Sequence, residues 1–289
     1  MSESYQPRFI ATIVVKDGQH VQSFDFGRYL PVGDPAETAR EYDRWGVDEI
    51  ILTVLDSYSE NMEGLIREVA GAISVPLTVA GGVQSVECVK SYLSWGADKV
   101  SVNQALVTAP DVVGQSVETF GAQCIVASVD LWEEERVCYR FDHWEKKRSN
   151  IDAEEWVKTV SKLNVGEVFF NFPQRDGTQS GLACNVVSGL KQYLTCPMIV
   201  CGGTGSTSHI LECWEAAQPS AVAVGNVLSH FEHSVIAYKE ALKRAELPVR
   251  EGVRANYHAH KLDASGRPER LDNEALDDLL FQRIESEKI

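Results

Sequence analysis

Two stretches of this chain place glycine pairs where a backbone could hold an anion. Gly81-Gly82 closes the apolar run LTVA, and Gly202-Gly203 closes the apolar run MIVC. A serine of the kind that starts helices, Ser85 or Ser206, follows each pair. A glycine turn at a strand end leaves backbone N–H groups uncovered, and the positive end of a following helix adds to them. That combination suits a phosphate. Glycines can also do no more than permit a tight turn. Two equivalent sites favour a substrate with two phosphate ends.

The elements that must position these turns are themselves repeated. Residues 77–106 and 198–228 each read as strand, glycine turn, helix and second strand, ending at Asn103 or at Gly225-Asn226. One βαβ unit in each half of the chain marks an internally duplicated α/β protein. Eight short apolar runs recur at residues 9–15, 49–55, 76–80, 99–102, 124–130, 167–172, 197–201 and 221–224, with helical stretches between them. Asp34-Pro35, Ser85, Asp152 and Ser206 are candidate helix starts. The spacing predicts an α/β fold, a (β/α)8 TIM barrel with an internal half-barrel repeat over residues 1–245. A doubly wound open sheet is the alternative. Residues 246–289 form an extension, with a linker over 250–268 and a short amphipathic helix over 271–284 carrying Leu276, Leu279, Leu280 and Ile284.

In such a barrel the residues just after the strands line the active face. These are Lys16-Asp17-Gly18, Asp56, Gly81-Gly82, Asn103, Asp130, the run from Pro173 to Thr178, Gly202-Gly203 and Gly225-Asn226. Residues 16–33 and 131–151 are long enough to be lids, and the second alternates like a β-hairpin. The opposite face carries Arg8, Glu49, Lys99 and Glu167 at the starts of four strands. Two cations and two anions there can close a ring of ion pairs, which by itself reads as a stabilising plug.

Composition narrows the function classes. A net charge of −15 argues against nucleic acid, and no apolar run reaches the length of a membrane span. The start of the chain, MSESYQPRF, lacks the apolar core of a signal peptide. Cys88, Cys124, Cys138, Cys184, Cys196, Cys201 and Cys213 never form C-x-x-C, so free thiols in a reducing cytoplasm are expected, with neither a metal site nor a cofactor.

With these residues in place, the chain resembles the cyclase subunit of imidazole glycerol phosphate synthase, HisF. The motifs that carry the likeness are VKDG at 15–18, GDP at 33–35, LTVAGG at 77–82, GADKVSVN at 96–103, GAQCIVASVD at 121–130, GEVFF at 166–170, RDGT at 175–178 and GGTGS at 202–206. The resemblance implies a barrel that takes ammonia from a HisH-like glutaminase docked on its floor and uses it on a phosphorylated substrate above. It implies that Gly82, Asn103, Gly177, Thr178, Gly203, Gly225 and Asn226 bind that substrate. It turns Arg8, Glu49, Lys99 and Glu167 from a plug into an ammonia gate, with Thr78, Asp98 and Gln123 at channel or docking positions. Asp130 corresponds to one catalytic aspartate. The other should precede VKDG, and Val14 stands there instead. Asp17 or Asp176 could supply the missing carboxyl. Gln22, Val54 and Gln174 also replace family residues. This pattern is similar to that of HisF-like proteins of sugar-amidation gene sets, which work with a glutaminase and an ATP-dependent amidotransferase. The expected function is therefore an ammonia-receiving synthase subunit with an acceptor outside the histidine pathway. The alternatives are an ordinary cyclase of histidine biosynthesis and a non-catalytic phosphosugar-binding scaffold.

Overall fold

A computed structural model of the chain describes residues 6–55, 61–135, 137–143, 145–250 and 261–269. The chain opens with β1 (Arg8–Lys16), which turns back into β2 (Gln19–Phe24) and β3 (Arg28–Gly33) as an antiparallel meander. Helix α1 (Pro35–Arg44), β4 (Glu49–Val54), α2 (Met62–Ala72), β5 (Leu77–Ala80), α3 (Val86–Ser94) and β6 (Lys99–Val102) follow. Then come α4 (Ala105–Thr108), α5 (Pro110–Phe120) and the long strand β7 (Ile125–Glu134), which continues antiparallel into β8 (Val137–Asp142) and β9 (Lys147–Asp152). Helix α6 (Ala153–Ser161), β10 (Glu167–Asn171), α7 (Cys184–Leu190), β11 (Met198–Cys201), α8 (Thr207–Ala217), β12 (Ala221–Val224) and α9 (Ser234–Arg244) complete the order.

Eight of these strands pair in parallel and return on themselves. The circuit runs β1, β4, β5, β6, β7, β10, β11, β12 and back to β1. This is a closed (β/α)8 barrel, and its strands fall on the eight expected apolar runs. Both faces of each strand are covered, which explains why the runs are nearly continuous in apolar residues. Along β1, Phe9, Ala11, Ile13 and Val15 join the core beneath the helices. The intervening Ile10 points into the barrel, where it meets Ile51, Val126, Phe169, Ile199, Ala221 and Ala223 in a separate inner cluster.

The expected helix starts divide. Asp34, Asp152 and Ser85 cap their helices by accepting from the N–H groups of Glu37, Glu154 and Cys88. Ser206 sits at the N-cap of α8 without making such a bond, and its hydroxyl pairs with that of Ser208. The two lid candidates are the two antiparallel meanders rising from β1 and β7, so the hairpin expected over 131–151 is present.

The extension is not a free linker throughout. Asp263 Oδ1 accepts from the N–H groups of Ser265 and Arg267, making a tight turn. The carbonyl of Ser265 accepts from Thr207 N at 3.4 Å, and Gly266 lies against Thr207 and Ala241. Residues 261–269 are therefore packed on the start of α8. Asp56 and the helix expected over 271–284 lie outside the described residues.

Candidate active site

A cavity of about 800 Å³ occupies the C-terminal ends of the barrel strands. It reaches down to Ile51 and Phe169 of the inner apolar layer, past Thr12, Ser101, Ser128 and Cys201. Its rim carries both glycine turns, Asn103, Asp130, His143, Asp176, Gly177, Gly225 and Asn226. Sequence reasoning assigned all of these except His143 to the site. Thr178 is not brought there. It is exposed, its hydroxyl bonds the Arg175 carbonyl and Ser180, and it is absent from the cavity wall. Asp17 is also turned away, with its side chain 82% exposed and paired to Lys16.

The glycine turns are built by close backbone approach. A Cβ on Gly81 would come within 2.3 Å of the Val54 carbonyl oxygen, and one on Gly203 within 2.3 Å of that of Gly181. Both residues also lie at positive φ, where side chains are strained. So the turns need glycine for packing alone, but their chemistry does not end there. Among the described residues, the N–H groups of Gly82, Val83, Gly203 and Thr204 donate to no backbone carbonyl. Thr204 Oγ1 is buried with no hydrogen-bond partner among the described residues. A native protein rarely leaves such a hydroxyl orphaned, and Thr204 belongs to the second glycine turn. Gly205 N is the exception, because it is taken by His209 Nδ1 at 3.1 Å.

Asp130 is the centre of a polar knot. Its Oδ1 accepts from Asn171 Nδ2 at 2.7 Å, while Oδ2 meets Asn103 Nδ2 and His143 Nε2. Burial acts to raise its pKa, but His143 and the two amides outweigh that and hold it below the usual carboxylate range. His143 is its counterpart. Burial acts to lower the imidazole pKa, Asp130 acts to raise it, and the net direction is up.

Asp176 behaves differently. It accepts from Ser23 Oγ at 2.6 Å and Phe26 N at 3.2 Å, both from the β2–β3 meander. Burial dominates and pushes its carboxyl up to about 6. The same meander is tied down by Asn226, whose amide exchanges bonds with the backbone of Ser23 at 3.1 and 2.6 Å. Gln22 donates to the Asn226 carbonyl at 3.1 Å, and Gln174 pairs with the backbone of Glu133 on β7. Val14 and Val54 contribute apolar wall.

The floor is closed by charge. Arg8 reaches Glu49 at 2.6 Å and also Glu167, while Lys99 reaches Glu49 at 3.0 Å and Glu167 at 2.8 Å. Thr78 Oγ1 donates to Glu49 at 2.8 Å. Burial would raise the pKa of Glu167, but Arg8 and Lys99 overcome it and leave it lowered. The inner apolar layer lies between this ring and the cavity. Asp98 and Gln123 lie exposed at the same end, Asp98 accepting from Leu77 N at 2.8 Å.

The closed barrel and the buried Asp130–His143 cluster in a cavity at its C-terminal face together define a (β/α)8 enzyme. The family model for "Histidine biosynthesis protein" matches residues 8–234. The chain is 33% identical over 264 residues to "Putative imidazole glycerol phosphate synthase subunit hisF2" of Vibrio vulnificus, covering 90% of this chain and 97% of that one. It is 32% identical to the HisF subunits of imidazole glycerol phosphate synthase from an Exiguobacterium species and from Streptococcus mutans. Those matches cover 84% of this chain and 96% and 98% of theirs. The chain belongs to the histidine biosynthesis protein family, as a divergent HisF-like synthase subunit. The match to hisF2 is longer than the barrel and so takes in part of residues 246–289.

Proposed function

We propose that this barrel is the ammonia-using subunit of a glutamine-dependent complex. A HisH-like glutaminase docks on its floor, and a phosphorylated sugar-type substrate binds at its C-terminal face. The observation that carries the reading is the pairing of a charged floor ring with a cavity that descends to the layer just above it. Ammonia released below would cross between Arg8, Glu49, Lys99 and Glu167, pass the apolar layer and emerge beside Asp130. The orphaned Thr204 hydroxyl and the open N–H groups of both glycine turns support two phosphate sites.

The acceptor lies outside the histidine pathway. Val14 occupies the place of the family's first catalytic aspartate and presents only methyl groups to the cavity. An acid–base group typically contributes about 10²–10⁴-fold in rate. An ATP-dependent amidotransferase would then activate the acceptor. The test is ammonium-driven turnover of the histidine-pathway ribulosyl phosphate substrate. The parent protein is expected to be slow, and Val14→Asp to accelerate it by about 10²-fold or more. A parent rate equal to that of ordinary cyclases would return the protein to histidine biosynthesis.

A further inference from the structure

Asp130 has little freedom to exchange a proton with a substrate. It is 5% exposed, and both its oxygens are engaged by Asn171, Asn103 and His143. His143 is placed the other way. It follows β8, it lines the cavity, and its side chain is 37% exposed. Its Nε2 faces Asp130, while its Nδ1 has no hydrogen-bond partner among the described residues. The ring is wedged edge-on by Phe141 at 5.0 Å and Phe26 at 6.4 Å between centroids.

We propose that His143 is the proton-transferring residue of this site and that Asp130 is its positioning residue. The proposal rests on the reading of the cavity as an ammonia-using centre. Asp130 keeps the imidazole proton on Nε2, which leaves Nδ1 as the basic atom of a ring that lines the cavity. When ammonia adds to an electrophilic carbon, its lone pair forms the C–N bond and the nitrogen carries one proton too many. Nδ1 takes that proton, and the imidazolium formed is neutralised by Asp130. The oxygen being displaced keeps the C–O electron pair and receives the same proton from Nδ1. The histidine ends as it began, and nothing is oxidised or reduced.

The charges around His143 favour that cycle. Asp130 on β7 and Asp142 on β8 act to raise its pKa, whereas burial and Arg140 on β8 act to lower it. Lys146 and Asp176 line the same cavity. The net direction is upward. In this arrangement a histidine carried by the β7–β9 meander does the proton transfer for which position 14, a valine, offers no carboxyl.

The experiment uses the full chain as parent, His143→Gln and Asp130→Asn. Nitrogen-15 NMR should assign the His143 proton to Nε2, with a titration above that of an ordinary imidazole that falls by about 1 pH unit or more in Asp130→Asn. Ammonium-driven turnover of the ribulosyl phosphate substrate, however slow in the parent, should drop by about 10²-fold or more in His143→Gln. Asp130→Asn should move the pH profile to lower pH. Binding of inorganic phosphate should survive in all three. A His143 titration indifferent to Asp130→Asn overturns the proposal, as does unchanged turnover in His143→Gln. Failure of the parent to bind phosphate would instead sink the phosphosugar reading and leave the histidine–aspartate pair standing.

Discussion

The floor and the roof of this barrel treat polar groups in opposite ways. On the floor, four charged side chains satisfy one another in a ring, with Thr78 filling a further position on Glu49. On the roof, among the described residues, the N–H groups at both glycine turns donate to no backbone carbonyl and the buried Thr204 hydroxyl has no hydrogen-bond partner. Buried polar atoms cost free energy when unpaired; the floor meets that cost within the protein, and under the proposed function the roof meets it with a bound ligand. In the resemblance read from the sequence, the floor keeps the family pattern and the roof departs from it at Val14, Gln22, Val54 and Gln174.

Breaking the floor should have the larger effect. Lys99→Ala leaves Glu49 and Glu167 to share Arg8, at a cost of up to about 3 kcal/mol for a pair of this burial. If the ring also gates ammonia, glutamine-driven amidation should fall more than amidation driven by ammonium salt. Both are to be measured with the glutaminase present, at a temperature where mutant and parent are folded. An unchanged ratio of the two activities would mean that the ring only holds the barrel together.

The roof should answer in the reverse sense. Thr204→Val removes a hydroxyl with no partner, so melting in the absence of anions should be unchanged or slightly improved. Phosphate affinity, measured by calorimetry, should weaken by about 10-fold, as loss of one hydrogen bond to a charged group implies. A large loss of stability without anion would show that Thr204 is structural.

Asp176 sharpens the contrast through pH. Folded Asp176 holds its proton to about pH 6, whereas an unfolded aspartate releases it near 4, roughly. Between those values the folded state binds more protons, so this contribution is complete at low pH and is lost as pH rises to about 6. Asp176→Asn stays neutral and keeps an oxygen for Ser23 and Phe26. It should gain about 2 kcal/mol over the parent at pH 7.5 and nothing at pH 3.5, as read by denaturant unfolding. Equal gains at both pH values would remove titration as the cause.

The smallest effect compares the two glycine turns. Ser85→Ala should cost about 1 kcal/mol, because Ser85 caps α3. Ser206→Ala should cost almost nothing, because Ser206 makes no capping bond. Equal losses in thermal unfolding would contradict the difference between the turns.

What the sequence by itself determined follows from local and periodic signals. Apolar runs at helix-length spacing located all eight barrel strands, since strands buried on both faces must be apolar throughout. The glycine pairs located both turns, because only glycine tolerates the approach of Val54 and Gly181. Arg8, Glu49, Lys99 and Glu167 were legible as strand-starting charges, but their closure into one ring depends on strands far apart in the chain. His143 was not legible at all. It sits after β8 in a segment that read as a lid, and only the fold-back of the β7–β9 meander carries it to Asp130. The same holds for Thr178 and Asp17, which follow strands as active residues should and yet face solvent. Which side chains near the end of a strand enter the cavity is set by loop geometry, and that is a property of the folded barrel.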